Sequence, residues 1–408
     1  MTPEETVTDL TDPRTFDEQD LAGYWRRLRA EEPVHWHPPA PGRPGFWVVS
    51  RHADILPVYR DNETFTSERG NVLTTLLSGG DSAAGHMLPV TDGHRHRELR
   101  KIILRAFAPR TLDRVAATVR ANTRALVAAA VELGTCDFAT DIADRIPMGT
   151  ICDLLGVPTA DRPFLLDLTH HALSSDTKGA DEREAVGARN EILLYFGELL
   201  EQRRAAPGED VISMLAHSEI DGRPLPEDDI VLNCYSLIIG GDETSRLSMI
   251  EAAAALARHG EQWQRLRDGR VDPATAVEEV LRWASPTLHF GRTCTRPARI
   301  AGTPIAEGDI VTLWHCSANR DETVFADPHA FRLDRTPNKH LAFGHGPHFC
   351  LGAYLARVEI GALLTALRDF ADDLEVTGEA RRIHSAFLTG YSSLPVRFQR
   401  KAATGTRL

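Results

Sequence analysis

Residues 343 to 352 read Phe-Gly-His-Gly-Pro-His-Phe-Cys-Leu-Gly, and the stretch behind them, "AYLARVEIGALLTAL", carries apolar residues at three- and four-residue spacing. Three glycines and a proline within ten residues suit neither a helix interior nor a strand, so the chain must turn tightly here. The periodic stretch then demands a helix. Cys350 is thereby placed at or just before a helix N-terminus, where unpaired N–H groups stabilise a thiolate. A thiolate so placed can act as a nucleophile or a metal ligand, whereas an isolated cysteine beside a helix cap is ordinarily a buried core residue.

The other five cysteines, Cys136, Cys152, Cys234, Cys294 and Cys316, are scattered and form no Cys-x-x-Cys pair. Neither a zinc ribbon nor a disulfide framework is suggested. A net charge of -12 opposes generic binding to nucleic acid or anionic lipid and leaves small molecules or proteins as partners. The opening "MTPEETVTDLTDP" is acidic and polar, and no uninterrupted apolar run approaches the length of a membrane span. A cytoplasmic protein without a membrane segment is expected.

Helical patterns dominate from about residue 94. The stretches 111–131 and 182–204 have clean amphipathic spacing, and a third helix opens at Pro226, with Glu227, Asp228 and Asp229 in its first turn, and runs to Ala257. Its nearly apolar middle, "NCYSLIIGGDETS", predicts that it crosses the core. Short β pieces flank this helical body. "PVHWH" and "GFWVVS" predict a hairpin, and "ARIAGTPIAEGDIVTLWHCS" and "LEVTGEARRIHSAF" have hairpin character. Residues 67–90, rich in Gly and Ser and without helical period, predict a mobile surface segment or lid. The expected fold class is mainly α with small β-sheets (α+β), as one domain over 1–408 with the ends, about 1–20 and 400–408, loosely ordered.

The string Phe-Gly-x-Gly-x-His-x-Cys-x-Gly resembles the haem-ligand loop of the cytochrome P450 family of haem-thiolate monooxygenases. The resemblance runs from roughly residue 20 to residue 400 and is strongest between 225 and 365. It implies the cytochrome P450 fold, with haem b held between a long distal helix and a proximal helix that follows the cysteine loop. Cys350 would be the metal ligand, with Phe343, Gly344, His348 and Gly352 around it. A thiolate ligand pushes electron density to iron and favours O–O cleavage.

Further motifs follow from the resemblance. Glu279 and Arg282 in "VEEVLRWASP" are similar to the family's buried Glu-x-x-Arg pair. The family completes that pair with an arginine where this chain has Ala330, so Arg332, Arg335 or backbone carbonyls are left to complete it. "GGDETS" resembles the oxygen-binding groove of the distal helix, with Gly240, Gly241, Glu243 and Thr244 in the groove. Thr244 would be the proton relay and Glu243 would stand behind it; Asp242 is a second acid in the motif, and which carboxylate lies nearer the groove stays open. His96 and Arg100 in "HRELRK", Arg292 in "HFGRTCT" and His348 would hold the haem propionates.

The family's substrate segments map here onto Leu76, Leu77, Met87 and Leu88 from the lid, Ile238 from the long helix, Leu288, His289 and Phe290 from a strand, and Phe387 and Leu388 from a C-terminal turn. The ordinary core reading is at least as strong for each. No flavin or nicotinamide fingerprint is present in the sequence, so electrons from NAD(P)H are expected through a separate ferredoxin and ferredoxin reductase. These would dock near Arg95, Arg97, Lys101, Arg105 and Lys339. The motif style resembles soluble bacterial members that tailor secondary metabolites, and a monomer is expected. The expected reaction uses O2 to hydroxylate or epoxidise a small molecule; oxidative coupling and a non-turnover haem-binding accessory are the alternatives. A cysteine-nucleophile hydrolase would explain none of the distant motifs.

Overall fold

The apolar periodicity of the sequence emerges as long helices in the computed structural model, which describes residues 8–173 and 182–401. Pro109–Leu133 begins with proline in its first turn, where no amide hydrogen is needed, and ends at Gly134 in the left-handed region at φ 81°. Glu182–Ala205 and the long helix Glu227–Arg258 lie within a few residues of their expected bounds. The long helix carries Ile230, Cys234, Ile238, Met249, Ile250 and Leu256 at no more than 1% exposure, so it is covered on nearly every side, as its apolar middle requires. The helix behind the cysteine loop, Ala353–Phe370, packs on Pro109–Leu133, Pro273–Ala284 and the long helix.

The largest sheet has five strands: β1 (Val34–His37), β2 (Phe46–Val49), β3 (Phe65–Thr66), β4 (His289–Cys294) and β5 (Ile310–Trp314), in the order β1-β2-β5-β4-β3. The expected hairpin is β1 and β2, paired antiparallel from Val34 opposite Val49 to His37 opposite Phe46. The "ARIAGTPI" turn forms its own small hairpin, Ala298–Ile300 with Thr303–Ile305, while β5 joins the main sheet parallel to β2. The stretch 374–387 does not close on itself. Ala371–Val376 pairs with Pro395–Arg400, and Arg381–Arg382 pairs with Tyr391–Ser393, because each finds a partner further along the chain.

Two other expectations change. Residues 1–7 and 402–408 of the ends lie outside the described residues, but Leu10 is fully buried and Arg14–Asp17 is helical. The 67–90 segment is fastened to the long helix. Asn233 accepts from the Leu88 amide at 2.9 Å and donates to the His86 carbonyl at 2.9 Å, and the His86 ring meets Asp229 at 2.7 Å. Arg95 also pairs with Asp229 and donates to the Gly85 carbonyl at 2.9 Å. Gly and Ser content signalled freedom, but the bonds from Asp229 and Asn233 come from residues more than a hundred positions away.

The Glu279–Arg282 pair is completely buried, with Arg282 Nε and Nη2 each 2.8 Å from a Glu279 oxygen. Both open possibilities for completing it are realised. Arg335 Nε donates to Glu279 at 2.9 Å, and the Arg332 amide and Asn338 side chain donate at 2.8 and 3.1 Å. Backbone carbonyls of Asn319, Pro328 and Ala330 take the remaining Arg282 hydrogens. Ala330 thus contributes its carbonyl where the family has a side chain.

His289 and His315 are buried, and burial drives both pKa values from 6.5 down to about 3. Between pH 6.5 and 3 the unfolded chain therefore binds more protons than the folded one, so stability rises with pH and is lost as pH falls through that window. The urea midpoint of the apoprotein is expected to drop between pH 7 and pH 5, with a shallower slope in a His289→Gln variant.

Candidate active site

Between the middle of the long helix and the cysteine loop lies a cavity of about 380 Å³. The Cys350 amide donates to the Phe343 carbonyl at 3.0 Å and closes the loop. Gly344 and Gly346 adopt φ +67° and +70°, which disfavour any side chain. At Gly346 a Cβ would also stand 2.4 Å from the Tyr59 carbonyl oxygen, so the loop can press against the backbone of His52–Arg60 only without one. Cys350 lines the cavity and is exposed, unlike Cys152, Cys234 and Cys294, which are buried. Burial raises its pKa, while the Gly352 amide and the charges of Arg100 and Arg357 oppose that rise.

One end of the cavity gathers positive and imidazole groups. Arg292 is 3% exposed, makes no ion pair among the described residues, donates to its neighbour's carbonyl at 2.6 Å and lies over the Tyr59 ring. Arg100 donates to the Phe349 carbonyl at 2.6 Å. His96 is 2% exposed with neither nitrogen partnered, and burial holds its pKa down at about 4. Its ring lies 4.3 Å from that of His348, whose Nε2 meets Asp92 at 2.7 Å. A buried guanidinium without a carboxylate and a doubly unpartnered imidazole are costly unless an anion completes them.

The roof is the long helix. Gly240, Gly241, Glu243 and Thr244 line the cavity, and the Thr244 hydroxyl donates back to the Gly240 carbonyl at 3.2 Å. A Cβ on Gly240 would meet nothing, whereas one on Gly241 would come within 3.1 Å of Ile151. Glu243 is the carboxylate nearer the cavity and is held by Arg246, which donates through Nε at 2.9 Å and Nη2 at 2.7 Å. Asp242 turns to the other side, where Thr169 donates to it at 3.3 Å. Burial, then the neighbouring charge of Glu243, pushes the Asp242 carboxyl well above its usual range.

Of the residues mapped to a substrate pocket, Met87, Leu88, Phe290, Phe387 and Leu388 line the cavity. Leu76, Leu77, Ile238, Leu288 and His289 do not. Side chains alternate along β4, so Phe290 and Arg292 face inward while His289 points away, with its ring on Trp314 and its Nε2 3.4 Å from the Leu73 amide. Leu76 fills the space beside Gly291, and Ile238 is fully buried in the main hydrophobic core. Sequence reasoning missed Tyr59, Asn71, Val72, Asn233 and Glu359, all of which line the cavity. Asn233 carried a signal, being a polar side chain in the apolar middle of the long helix.

A thiol facing a largely apolar cavity, with unpaired cationic groups at one end, suits an apolar metal-centred cofactor that carries carboxylates. Comparison with known proteins agrees. The family model "Cytochrome P450" matches residues 274–385. "Cytochrome P450 NovI" of Streptomyces niveus is 51% identical over 389 residues, covering 95% of this chain and 96% of the relative. A "Methyl-branched lipid omega-hydroxylase" of Mycobacterium tuberculosis is 35% identical over 413 residues, covering 97% and 96%. Among solved structures, P450 OxyD, described as involved in the biosynthesis of vancomycin-type antibiotics, superimposes with a TM-score of 0.88 at 36% identity, covering 97% of this chain and 100% of that one. Among the described residues no helix is long and apolar enough to cross a membrane. The chain belongs to the cytochrome P450 family and is a haem-dependent oxidoreductase.

Proposed function

We propose that Cys350 supplies the thiolate ligand of a haem b in this cavity and that the protein inserts one oxygen atom from O2 into a small organic substrate, by hydroxylation or epoxidation. The observation that carries this reading is the Cys350 sulfur on the same cavity as Arg292, a buried cation lacking a carboxylate partner among the described residues. His96, Arg100, Arg292 and His348 would receive the two propionates, which would offset the cost of burying these groups. Bound there, a thiolate-ligated haem supplies the reductive cleavage of dioxygen.

The protein's own residues position and protonate. Gly240 leaves space under the helix, and the Thr244 hydroxyl at its edge, whose hydrogen goes to the Gly240 carbonyl, leaves its oxygen free to accept on the cavity side. Glu243, fixed by Arg246, keeps that wall in place. Phe290, Phe387, Met87 and Leu88 give the substrate an apolar seat. The role of OxyD in antibiotic biosynthesis supports a secondary metabolite as substrate. Electrons would come from NAD(P)H through ferredoxin reductase and a ferredoxin docked at the exposed Arg97, Lys101, Arg105 and Lys339. Arg95 is engaged with Asp229 and drops out of that patch. Because residues 96 to 350 converge on one cavity, we read the chain as a single domain, acting as a cytoplasmic monomer.

The test is the absorption spectrum, ferric and then reduced under carbon monoxide, followed by turnover with ferredoxin, reductase and a ligand panel. A strongly red-shifted carbon monoxide band is expected. With Thr244→Ala the band persists, while product per electron falls by about tenfold or more and peroxide rises to match. Unchanged coupling in that variant would remove Thr244 from proton delivery.

A further inference from the structure

We propose that His170, Asp242 and Glu243 form a divalent-cation site, suited to Zn2+, that staples the helix Arg162–Leu173 to the long helix. The site is separate from the haem cavity, which Glu243 lines but Asp242 and His170 do not.

Each of the three residues brings one ligand atom, and these atoms lie within 4.8 Å of one another. Asp242 and Glu243 are each 1% exposed. Two buried atoms of the group have no hydrogen-bond partner, Oδ1 of Asp242 and Nε2 of His170. Arg246 pairs with Glu243 and Asp144 rather than with Asp242. The other Asp242 oxygen is poorly served, because the single Thr169 hydrogen is shared between the Leu166 carbonyl at 2.9 Å and Asp242 Oδ2 at 3.3 Å. An orphaned carboxylate oxygen beside an orphaned imidazole nitrogen is costly in a folded interior, and one metal ion satisfies both.

The donor set selects the ion. One imidazole nitrogen and two carboxylate oxygens suit Zn2+, which holds such atoms at about 2.0–2.2 Å in a tetrahedron with water in the fourth place. Atoms at that distance from one centre lie about 3.4 Å apart, so small side-chain torsions close the site. Mg2+ and Ca2+ take six or more oxygens and are a poorer match.

The surroundings hold the ligands as a metal requires. Arg246 donates to both Glu243 oxygens at 2.9 and 2.7 Å, and each oxygen keeps a second lone pair for the ion. Hydrogen bonds of this kind orient a ligating carboxylate. Asp242 and Glu243 are carried by one helix and His170 by another, so the ion bridges the two. His170 is partly exposed, which gives the ion a path from solvent. Binding is coordination alone: the ion replaces any proton on its ligands, and no electron moves.

The experiment strips loose metal from the haem-loaded protein with a chelator and uses Zn2+ alone as the probe. Calorimetry is expected to show one Zn2+ per chain. His170→Gln and Asp242→Asn each weaken binding by more than about 100-fold, since losing a ligand costs more than disturbing a group that supports one. His171→Gln, one residue along and exposed, leaves it unchanged. Zn2+ raises the thermal midpoint of wild type but of neither ligand variant. His170→Gln keeps the ferric haem spectrum of wild type, which separates lost binding from lost folding. X-ray absorption at the zinc edge shows nitrogen and oxygen at about 2.0–2.2 Å and no sulfur. A wild type that takes up no Zn2+ overturns the proposal. Binding that survives both ligand substitutions does the same, as does sulfur around the zinc, which would put the ion on a cysteine. None of these outcomes bears on the haem-thiolate reading, which the carbon monoxide band tests by itself.

Discussion

Cys350→Ser protein, reduced under carbon monoxide, gives no strongly red-shifted band and forms no product. A serine hydroxyl is a harder donor that stays protonated at neutral pH, so the electron push onto iron is lost. The loss should far exceed the roughly 10–100-fold cost of altering groups that merely support a metal ligand. Haem content should fall less than activity, because His96, Arg100 and Arg292 still face the cavity. Retention of the band in this variant would assign the iron to another residue.

Glu279→Gln is expected to lower stability by about 3–5 kcal/mol, because it strips the negative charge from between two buried guanidiniums. The side chains of Arg282 and Arg335 are 0% and 5% exposed, and both direct Nε at the same carboxylate. Against a total of about 5–15 kcal/mol this is a large share. The urea midpoint of the apoprotein measures it. Glu375→Gln at the exposed Arg397–Glu375 pair serves as the control and should change stability by about 0–1 kcal/mol. Equal midpoints for the two variants would show that the buried triad carries no special weight.

Local patterns made the cysteine loop and the long helix legible in the sequence. The glycines of the loop force a turn wherever they occur, and apolar spacing writes a helix into the sequence itself. What could not be read depended on where distant segments come to rest. Arg335 completes the Glu279 triad only because residues 326–338 fold back over Pro273–Ala284, and no local signal separates it from Arg332. Leu288, His289 and Phe290 were all assigned to the pocket, but neighbours in a strand face opposite sides, so only Phe290 lines the cavity while His289 turns to Trp314. Tyr59 and Glu359 look like ordinary helix residues, and only the assembled cavity shows what surrounds them.

The fastening of residues 86–88 to the long helix bears on how such a pocket can be re-tailored. Asn233 holds that segment through its backbone, taking the Leu88 amide and the His86 carbonyl, so the seats of Met87 and Leu88 do not depend on which side chains occupy them. Variation at 87 and 88 can therefore enlarge, narrow or polarise the cavity wall while the main chain stays anchored. For a designer this makes two adjacent positions an interchangeable insert in a fixed frame, with Thr244 and Cys350 left untouched.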